Sequence, residues 1–599
     1  MASMGGPRAD VGDGVTDSSA PRPRRSGIRR AALLSRENEG RRVIVGIALL
    51  CLPLLYFVVT VLAHGWVPQG DEALVAVRIH DVWSAHPPLV GMRSTSNVSS
   101  PGVYAHHPGP MEFYLLAVPY AVTGFAGWSI IVGDAIVACS FVAIAVWHAY
   151  RAVGLNGAWI AGALVLLTER SFGHVLVQPL NTWPAVLALV AALVLAWRLV
   201  LGQYKAMPWY VGCATYAAQA QVIDFSVVAV LSAFLAMLGL LRWWDRRGAV
   251  WPIPGPGQDR SRALWWRRPG WISVGLLVVL WFPPMVDVVV DHPNNLSELI
   301  STFSGAHSGP MVGVWTSMQD VAALVVPVGG HLRHTGASTP GAAGAVAALL
   351  VVAVLFHAIW TGRGVFRQGS GRDGAVASAA AVGLVLTGAL VWTGSHAVYP
   401  LQLLYLDLVQ PAALFASMIA IWAVCRRVVR LLVRTRRLPA WRGTAGAVVA
   451  VVAVAVAVTI ALLPAVHNVT RQSQDDQRLA GRVVAAAGNL LGAHGGLRRP
   501  IVVQGYGLTS YSSLSPAVCA ALVAGGEKVY FDSVWPLPQD DDFRRSRNAP
   551  RSSWRLVLRE RTGTGPWSLP VVPGRTVATT TVVPHPGGSQ VTVQLLLIA

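Results

Sequence analysis

What most constrains this chain is a succession of apolar runs, each about as long as a membrane is thick, separated by short clusters of arginine. A helix needs about 20 predominantly apolar residues to cross the hydrocarbon core of a bilayer. Stretches near 43–64, 128–149, 156–170, 182–200, 207–223, 225–242, 271–289, 341–360, 374–393, 406–425 and 444–465 meet or approach that length. Eleven transmembrane helices are therefore expected. Two interrupted apolar segments, near 111–124 and 311–329, read as interfacial or re-entrant helices. Composition agrees: 54% of residues are apolar and 13% charged, where soluble domains carry about 25% charged residues. Mean hydropathy is +0.51.

The net charge of +19 would suit a nucleic-acid partner if it formed a basic domain, but it does not. Its arginines fall at Arg151, in 198–205, in 242–269, in 361–373 and in 426–442, between the apolar runs. Cytoplasmic connections of membrane proteins retain Lys and Arg, so these loops read as cytoplasmic and nucleic acid is excluded. The basic, Pro- and Ser-rich residues 1–42 then lie inside as a disordered tail, with no cleavable signal peptide. Five cysteines, four of them in or beside apolar runs, give neither a disulfide framework nor a metal-binding spacing. The external connections become 65–127, 171–181, the turn at Asp224, 290–340 and 394–405, and an odd helix count places residues 466–599 outside.

That C-terminal region differs in kind. Helix-like stretches (QRLAGRVVAAAGNLLGAHG, SSLSPAVCAALVAGG) alternate with β-rich runs (IVVQGYG, KVYFD, SWRLVLRER, TVATTTVV, QVTVQLLLIA). This pattern predicts a small α/β or α+β domain able to bury its own core.

Residues 65–114 carry most of the chemistry. Asp71, Glu72, Arg78, His80, Asp81, His86, Arg93, His106 and His107 crowd one external loop, where ionisable groups are costly unless they face water or a polar ligand. Adjacent carboxylates at Asp71 and Glu72, just past the first span, suit a general base that takes a proton from an attacking hydroxyl. Helix capping also explains an Asp at that place, because an apolar-periodic run follows it, and both roles can hold at once. His106 and His107 precede Pro-Gly-Pro, a rigid water-facing turn. Their imidazoles can serve a phosphate, a metal or an acceptor, or simply a polar turn. Further polar residues sit at outer helix ends: Arg170, Asp224, Asp287, Asp291, His292, His331, Arg333, His334, His396, Tyr399 and Gln402. Arg93, Arg170 and Arg333 lie outside against the charge rule and are candidates for a phosphate.

An acidic doublet in the first large external loop (Gly70-Asp71-Glu72), the run His106-His107-Pro108-Gly109-Pro110-Met111-Glu112-Phe113-Tyr114, about a dozen helices and an external C-terminal domain together resemble the GT-C membrane glycosyltransferases. That family includes protein mannosyltransferases, the aminoarabinose transferase of lipid A and actinobacterial arabinofuranosyltransferases. The Ala/Val/Arg/Trp-rich composition also looks actinobacterial. The resemblance covers residues 43–465 and implies a sugar donor on a polyprenyl phosphate, an acceptor in the cell envelope (glycan or glycoprotein), and a plasma-membrane location. It implies Asp71 as general base with Glu72 orienting it, and Arg170, His106, His107 and Arg333 toward the donor phosphate. Asp224, with His80, Asp81, Asp291 and His292, would face sugar or acceptor hydroxyls. No cofactor is implied, and polyprenyl monophosphate donors usually do without a metal, though a carboxylate–histidine cluster could bind one. The Asp-Glu doublet departs from the Asp-Asp of many relatives and leaves the sugar, arabinofuranose or mannose, open. A transporter or flippase of lipid-linked sugars is the alternative from another class.

Overall fold

The computed structural model describes residues 25–180, 182–247, 267–304, 309–325, 342–368, 372–398, 408–434, 471–494, 499–532, 543–584 and 590–599. The first helix, α1 (Arg25–Ala63), reaches back well before the first apolar run, into residues expected to be disordered. Three short helices follow in the first loop: α2 (Gly70–Asp81), α3 (Ser96–Ser99) and α4 (Met111–Val122). The bundle continues through α5 (Trp128–Val153), α6 (Leu155–Phe172), α7 (Thr182–Val200), α8 (Met207–Ala220), α9 (Val222–Arg247) and α10 (Arg267–Val290). Short α11 (Asn295–Ser304) and α12 (Gly313–Val325) precede α13 (Ala342–Gln368), α14 (Arg372–Ser395) and α15 (Gln410–Arg434).

Among the described residues, nine helices are long and apolar enough to cross a membrane. They coincide with nine of the eleven expected spans. The expected span at 207–223 is corrected: α8 has 14 residues, about 21 Å at 1.5 Å per residue, against a hydrocarbon core of about 30 Å. The chain leaves α8 through an extended Gln221 and returns at once as α9. Tyr210 and Ser232, bonded through their hydroxyls at 2.8 Å, hold the two helices antiparallel. The segment 444–465 lies outside the described residues.

The helix α7 (TWPAVLALVAALVLAWRLV) is apolar on every face and is buried almost throughout, packed against α5, α8 and α14. That is how an all-round hydrophobic helix is accommodated, at the centre of a bundle. The helices α10 and α13, equally apolar, keep most of their surface free, as lipid-facing helices would.

The C-terminal region holds α16 (Arg471–Ala493), α17 (Ser515–Ala524) and a five-stranded mixed sheet. Its strands are β1 (Ile501–Tyr506), β2 (Val529–Phe531), β3 (Trp554–Thr562), β4 (Thr576–Val582) and β5 (Val591–Ile598), in the order β2-β1-β3-β5-β4. The strands β2, β1 and β3 run parallel, and β5 joins β3 and β4 antiparallel. This unit does not close its core alone. Val483, Leu491, Val518 and Leu522 share one buried cluster with Leu74, Val77 and Ile79 of α2 and Phe113 and Leu116 of α4. The first loop and the C-terminal sheet are therefore one hydrophobic body seated on the bundle.

Candidate active site

The first loop is positioned by backbone bonds. Gly91–Ser94 and Ala105–His107 form a short antiparallel ladder: the amide of Gly91 donates to His107, that of His107 to Met92, and that of Ser94 to Ala105. The Gly91 position admits no side chain, since a Cβ there would stand 2.8 Å from the His107 Cβ. The His-His-Pro-Gly-Pro turn is clamped from two helices, α11 and α8. Asn295, at the start of α11, accepts from the His106 amide (2.7 Å) and donates to the His106 carbonyl. The end of α8 supplies Gln219, which receives the amides of Gly109 and Met111 on its carbonyl and side-chain oxygens. A Cβ on Gly109 would overlap the Gln219 side chain.

Asp71 does not cap α2. The N-cap is Gln69, without a side-chain bond, and Asp71 lies within the first turn. Its carboxylate instead receives a 2.6 Å bond from Arg93 and remains 48% exposed. Arg78 lies seven residues on, hence on the same helix face, and is buried with its guanidinium on the Val90 carbonyl and over the Phe113 ring. Tyr511 of the C-terminal unit feels the Arg93 charge, Ser513 donates to Gln69 at 2.9 Å, and the Ser512 carbonyl lies over Gly70. The segment Tyr511–Ser513 is therefore one wall of the Asp71 site.

Glu72 turns inward. One of its carboxyl oxygens is buried without a partner. Burial pushes its pKa up to about 8, against hydrogen bonds from the Gln69 backbone and Trp66, with Asp71 adding repulsion. Behind it stand two carboxylates that sequence reasoning missed. Glu112, in the first turn of α4, and Asp134, in α5, are buried with all four oxygens unpartnered. Burial raises the Glu112 pKa to about 8. The signals were present: Asp134 interrupts the apolar run WSIIVGDAIVACS, and an ionisable group inside a span is a functional candidate by default.

The remaining predicted residues fall in three places. His106 and His107 are buried, and burial holds both at about 3, with Arg78, His107 and Arg93 adding repulsion at His106. As neutral rings they can offer a phosphate an N–H but no charge. His80 and Asp81 sit at the far end of α2, about 15 Å along the helix from Asp71, and bind the C-terminal unit: the Arg544 Nε donates to Asp81 at 2.7 Å, its Nη2 takes the other oxygen, and His80 stands at 3.3 Å. They are not brought to the Asp71 face. Asp291 and His292 lie in the turn between α10 and α11, next to the Asp287–Asn295 bond that sets the histidine clamp. Asp224, in the first turn of α9, is fully buried with both oxygens unpartnered. Arg170, in the last turn of α6, has its Nε and Nη1 buried without partners, and none of the described bonds joins it to Asp71 or the histidines. Arg333, with His331 and His334, lies outside the described residues.

One end of the bundle collects Asp134, Glu169, Gln219, Asp224 and Asp287, the end that carries the first loop. Arg151, Arg198, Lys205 and Arg242 collect at the other. Below Gln219, an apolar groove of about 210 Å³ opens between α8, α9 and α10, lined by Thr215, Phe225, Val228, Leu277 and Trp281. The half-open carboxylate with its arginine thus belongs to the first loop, and the apolar groove to α8, α9 and α10.

No family model matches this sequence, and no curated protein matches it. Among solved structures it is similar to the crystal structure of ArnT from Cupriavidus metallidurans bound to undecaprenyl phosphate, with a TM-score of 0.50 and 13% identity. The alignment covers 92% of this chain and 97% of that one. The chain thus shares the fold of that ArnT structure over 92% of its length.

Proposed function

We propose that this protein is a polytopic membrane glycosyltransferase that moves a sugar from a polyprenyl-phosphate donor to a hydroxyl acceptor of the cell envelope. The observation that carries this reading is Asp71: half-open to solvent, fixed by Arg93, and set on the loop helix that follows the first span of an ArnT-like fold. That neighbour holds undecaprenyl phosphate. Here, the groove between α8, α9 and α10 offers a prenyl chain an apolar bed that ends beneath Gln219 and Asp224.

In the reaction, the acceptor oxygen attacks the anomeric carbon. The bond from that carbon to the phosphate oxygen breaks, with its electron pair leaving on the phosphate. The hydroxyl proton passes to Asp71, which Arg93 holds in one orientation so that little freedom is lost at the transition state. Arg93 and Arg170 are the cations offered to the departing phosphate, since the histidines are neutral. Arabinofuranose and mannose are the sugars to test. Membranes containing the wild type are offered radiolabelled polyprenyl-phosphate arabinose and mannose in parallel with Asp71→Asn. Transfer by the wild type and loss of at least a hundredfold in the variant is expected. Undiminished transfer by the variant removes Asp71 as the base.

Flipping of lipid-linked sugars is the second reading, favoured by the carboxylates buried inside spans at Asp134, Glu169 and Asp224. Substrate crossing vesicles with no new glycosidic bond decides for it.

A further inference from the structure

The wall beside Asp71 belongs to the loop that leaves β1, residues 507–513, and that loop is fixed from several sides. Glu560 of β3 holds it with both oxygens: the Thr509 amide donates to Oε1 at 3.2 Å and the Ser510 amide to Oε2 at 2.6 Å. Gly507 turns at φ +99°, where a Cβ would overlap the Glu560 side chain, and a Cβ on Gly505 would overlap the Ser510 carbonyl. Ser510–Leu514 then form a single π turn, an irregularity frequent at functional sites. The loop meets the Asp71 helix directly. Ser513 donates to Gln69 at 2.9 Å, and the Ser512 carbonyl oxygen lies 3.3 Å from where a Gly70 Cβ would stand. Both contacts fall on the two residues that precede Asp71. At this edge the parallel strands β1, β2 and β3 end, and sheets of parallel strands joined by helices take their ligands outside the carboxyl ends of the strands.

The side chains of this wall state what they can recognise. The Ser512 hydroxyl gives its proton to the Leu508 carbonyl at 2.5 Å, and the Ser513 hydroxyl gives its own to the Gln69 side-chain oxygen. What each hydroxyl has left is lone pairs. Lone pairs receive hydroxyl protons and repel the oxygens of a carboxylate or phosphate. Ser512 is exposed, and the partly buried Tyr511 beside it adds an aromatic ring with only two torsions to order. Arg93, whose charge Tyr511 feels, is already paired with Asp71. A fixed ring next to outward lone pairs suits a neutral sugar, with its apolar face on the ring and its hydroxyl hydrogens on the serines.

We propose that residues 507–513 are the acceptor platform of the site: Tyr511 stacks on a sugar residue of a neutral glycan, Ser512 and Ser513 accept from its hydroxyls, and a further hydroxyl is presented to Asp71. The C-terminal unit then selects the acceptor, and the groove in the bundle serves the donor. Transfer to that glycan rests on the glycosyltransferase reading, whereas binding of the glycan by the loop does not.

The test uses the purified full-length protein with Tyr511→Ala, Tyr511→Phe and Ser512→Ala. Saturation-transfer NMR titrations read binding without turnover, with mannotriose and arabinotriose as neutral probes and trigalacturonate as the anionic one. The wild type is expected to bind a neutral probe and to bind trigalacturonate more weakly. Tyr511→Ala should lose about tenfold in affinity and Ser512→Ala about threefold. Tyr511→Phe should stay within about twofold of the wild type, because the ring carries the contact. Ser512 is an exposed side chain, so its variant decides the matter should Tyr511→Ala not fold. No signal from either neutral probe in the wild type, a preference for trigalacturonate, or wild-type affinity in the folded alanine variants overturns the proposal. Where transfer is measurable, the acceptor KM is expected to rise in Tyr511→Ala while the donor KM does not. An equal rise in both marks the loop as a structural prop and also overturns it. A wild type inactive on both donors defeats the functional reading and leaves the binding series to decide the platform.

Discussion

Removing Arg544 tests whether the C-terminal unit holds the helix that carries Asp71. Asp81 is fully buried, and the Arg544 side chain is 10% exposed. Burial works to raise the Asp81 pKa, but the His80 and Arg544 bonds outweigh it and leave the carboxyl below its usual range. Arg544→Ala strands that carboxylate with only His80 beside it. Breaking one side of a buried ion pair costs about 3–5 kcal/mol, whereas replacing both partners by apolar residues is often neutral or stabilising. At a factor of ten per 1.4 kcal/mol, opening of α2 should rise by about two to three and a half decades. Hydrogen exchange at the amides of Val77–Asp81 measures that directly. The Asp81→Leu/Arg544→Met double variant should recover most of the protection. Because the folded pKa of Asp81 is depressed, the pair's contribution is present above the ordinary value of 3.8 and is lost as the pH falls through the folded value. Exchange in Arg544→Ala within a few-fold of wild type, or a double variant as open as the single, refutes the claim that this pair anchors α2.

Asp71→Asn should change thermal stability little, since an ion pair to a half-exposed carboxylate is worth about 0–1 kcal/mol; a large drop in melting temperature would make its loss of transfer uninformative. Gly109→Ala places a methyl group on the Gln219 side chain and should cost about 1–3 kcal/mol as an overpacked contact, read as a lower melting temperature, with Gln219→Ala partly restoring it. Four buried groups shape stability against pH. Between the ordinary values of 4.5 and 6.5, the raised pKa values of Glu72 and Glu112 and the lowered ones of His106 and His107 give slopes of opposite sign. Below about 4.5 the histidine contribution is lost as pH falls toward 3, and above about 6.5 the carboxyl contribution is lost as pH rises toward 8, each group adding about 1.4 kcal/mol per unit. A stability that does not fall as pH rises from 6.5 to 8 contradicts the carboxyl assignments.

Run length, arginine placement and strand pattern come from the chain itself. Nine of the expected spans, all five strands and both helices of the C-terminal unit are therefore found where their sequences put them, because apolar length and period-two alternation are local properties. The expected span at 207–223 falls short because the chain turns at extended Gln221, three residues before the turn expected at Asp224, and leaves 14 helical residues. The site was half legible. Asp71, Glu72, His106 and His107 announce themselves by chemistry in one loop. Whether a carboxylate caps a helix, pairs with an arginine or stands unpartnered is decided by groups far away in sequence. Arg93 took Asp71 from the capping role, Arg544 drew Asp81 and His80 to the C-terminal unit, and Asn295 and Gln219 fixed the histidine turn. Glu112 and Asp134 joined the site only when α4 and α5 closed over Glu72. Burial and charge pairing are properties of neighbours in space, so only the tertiary structure could assign them.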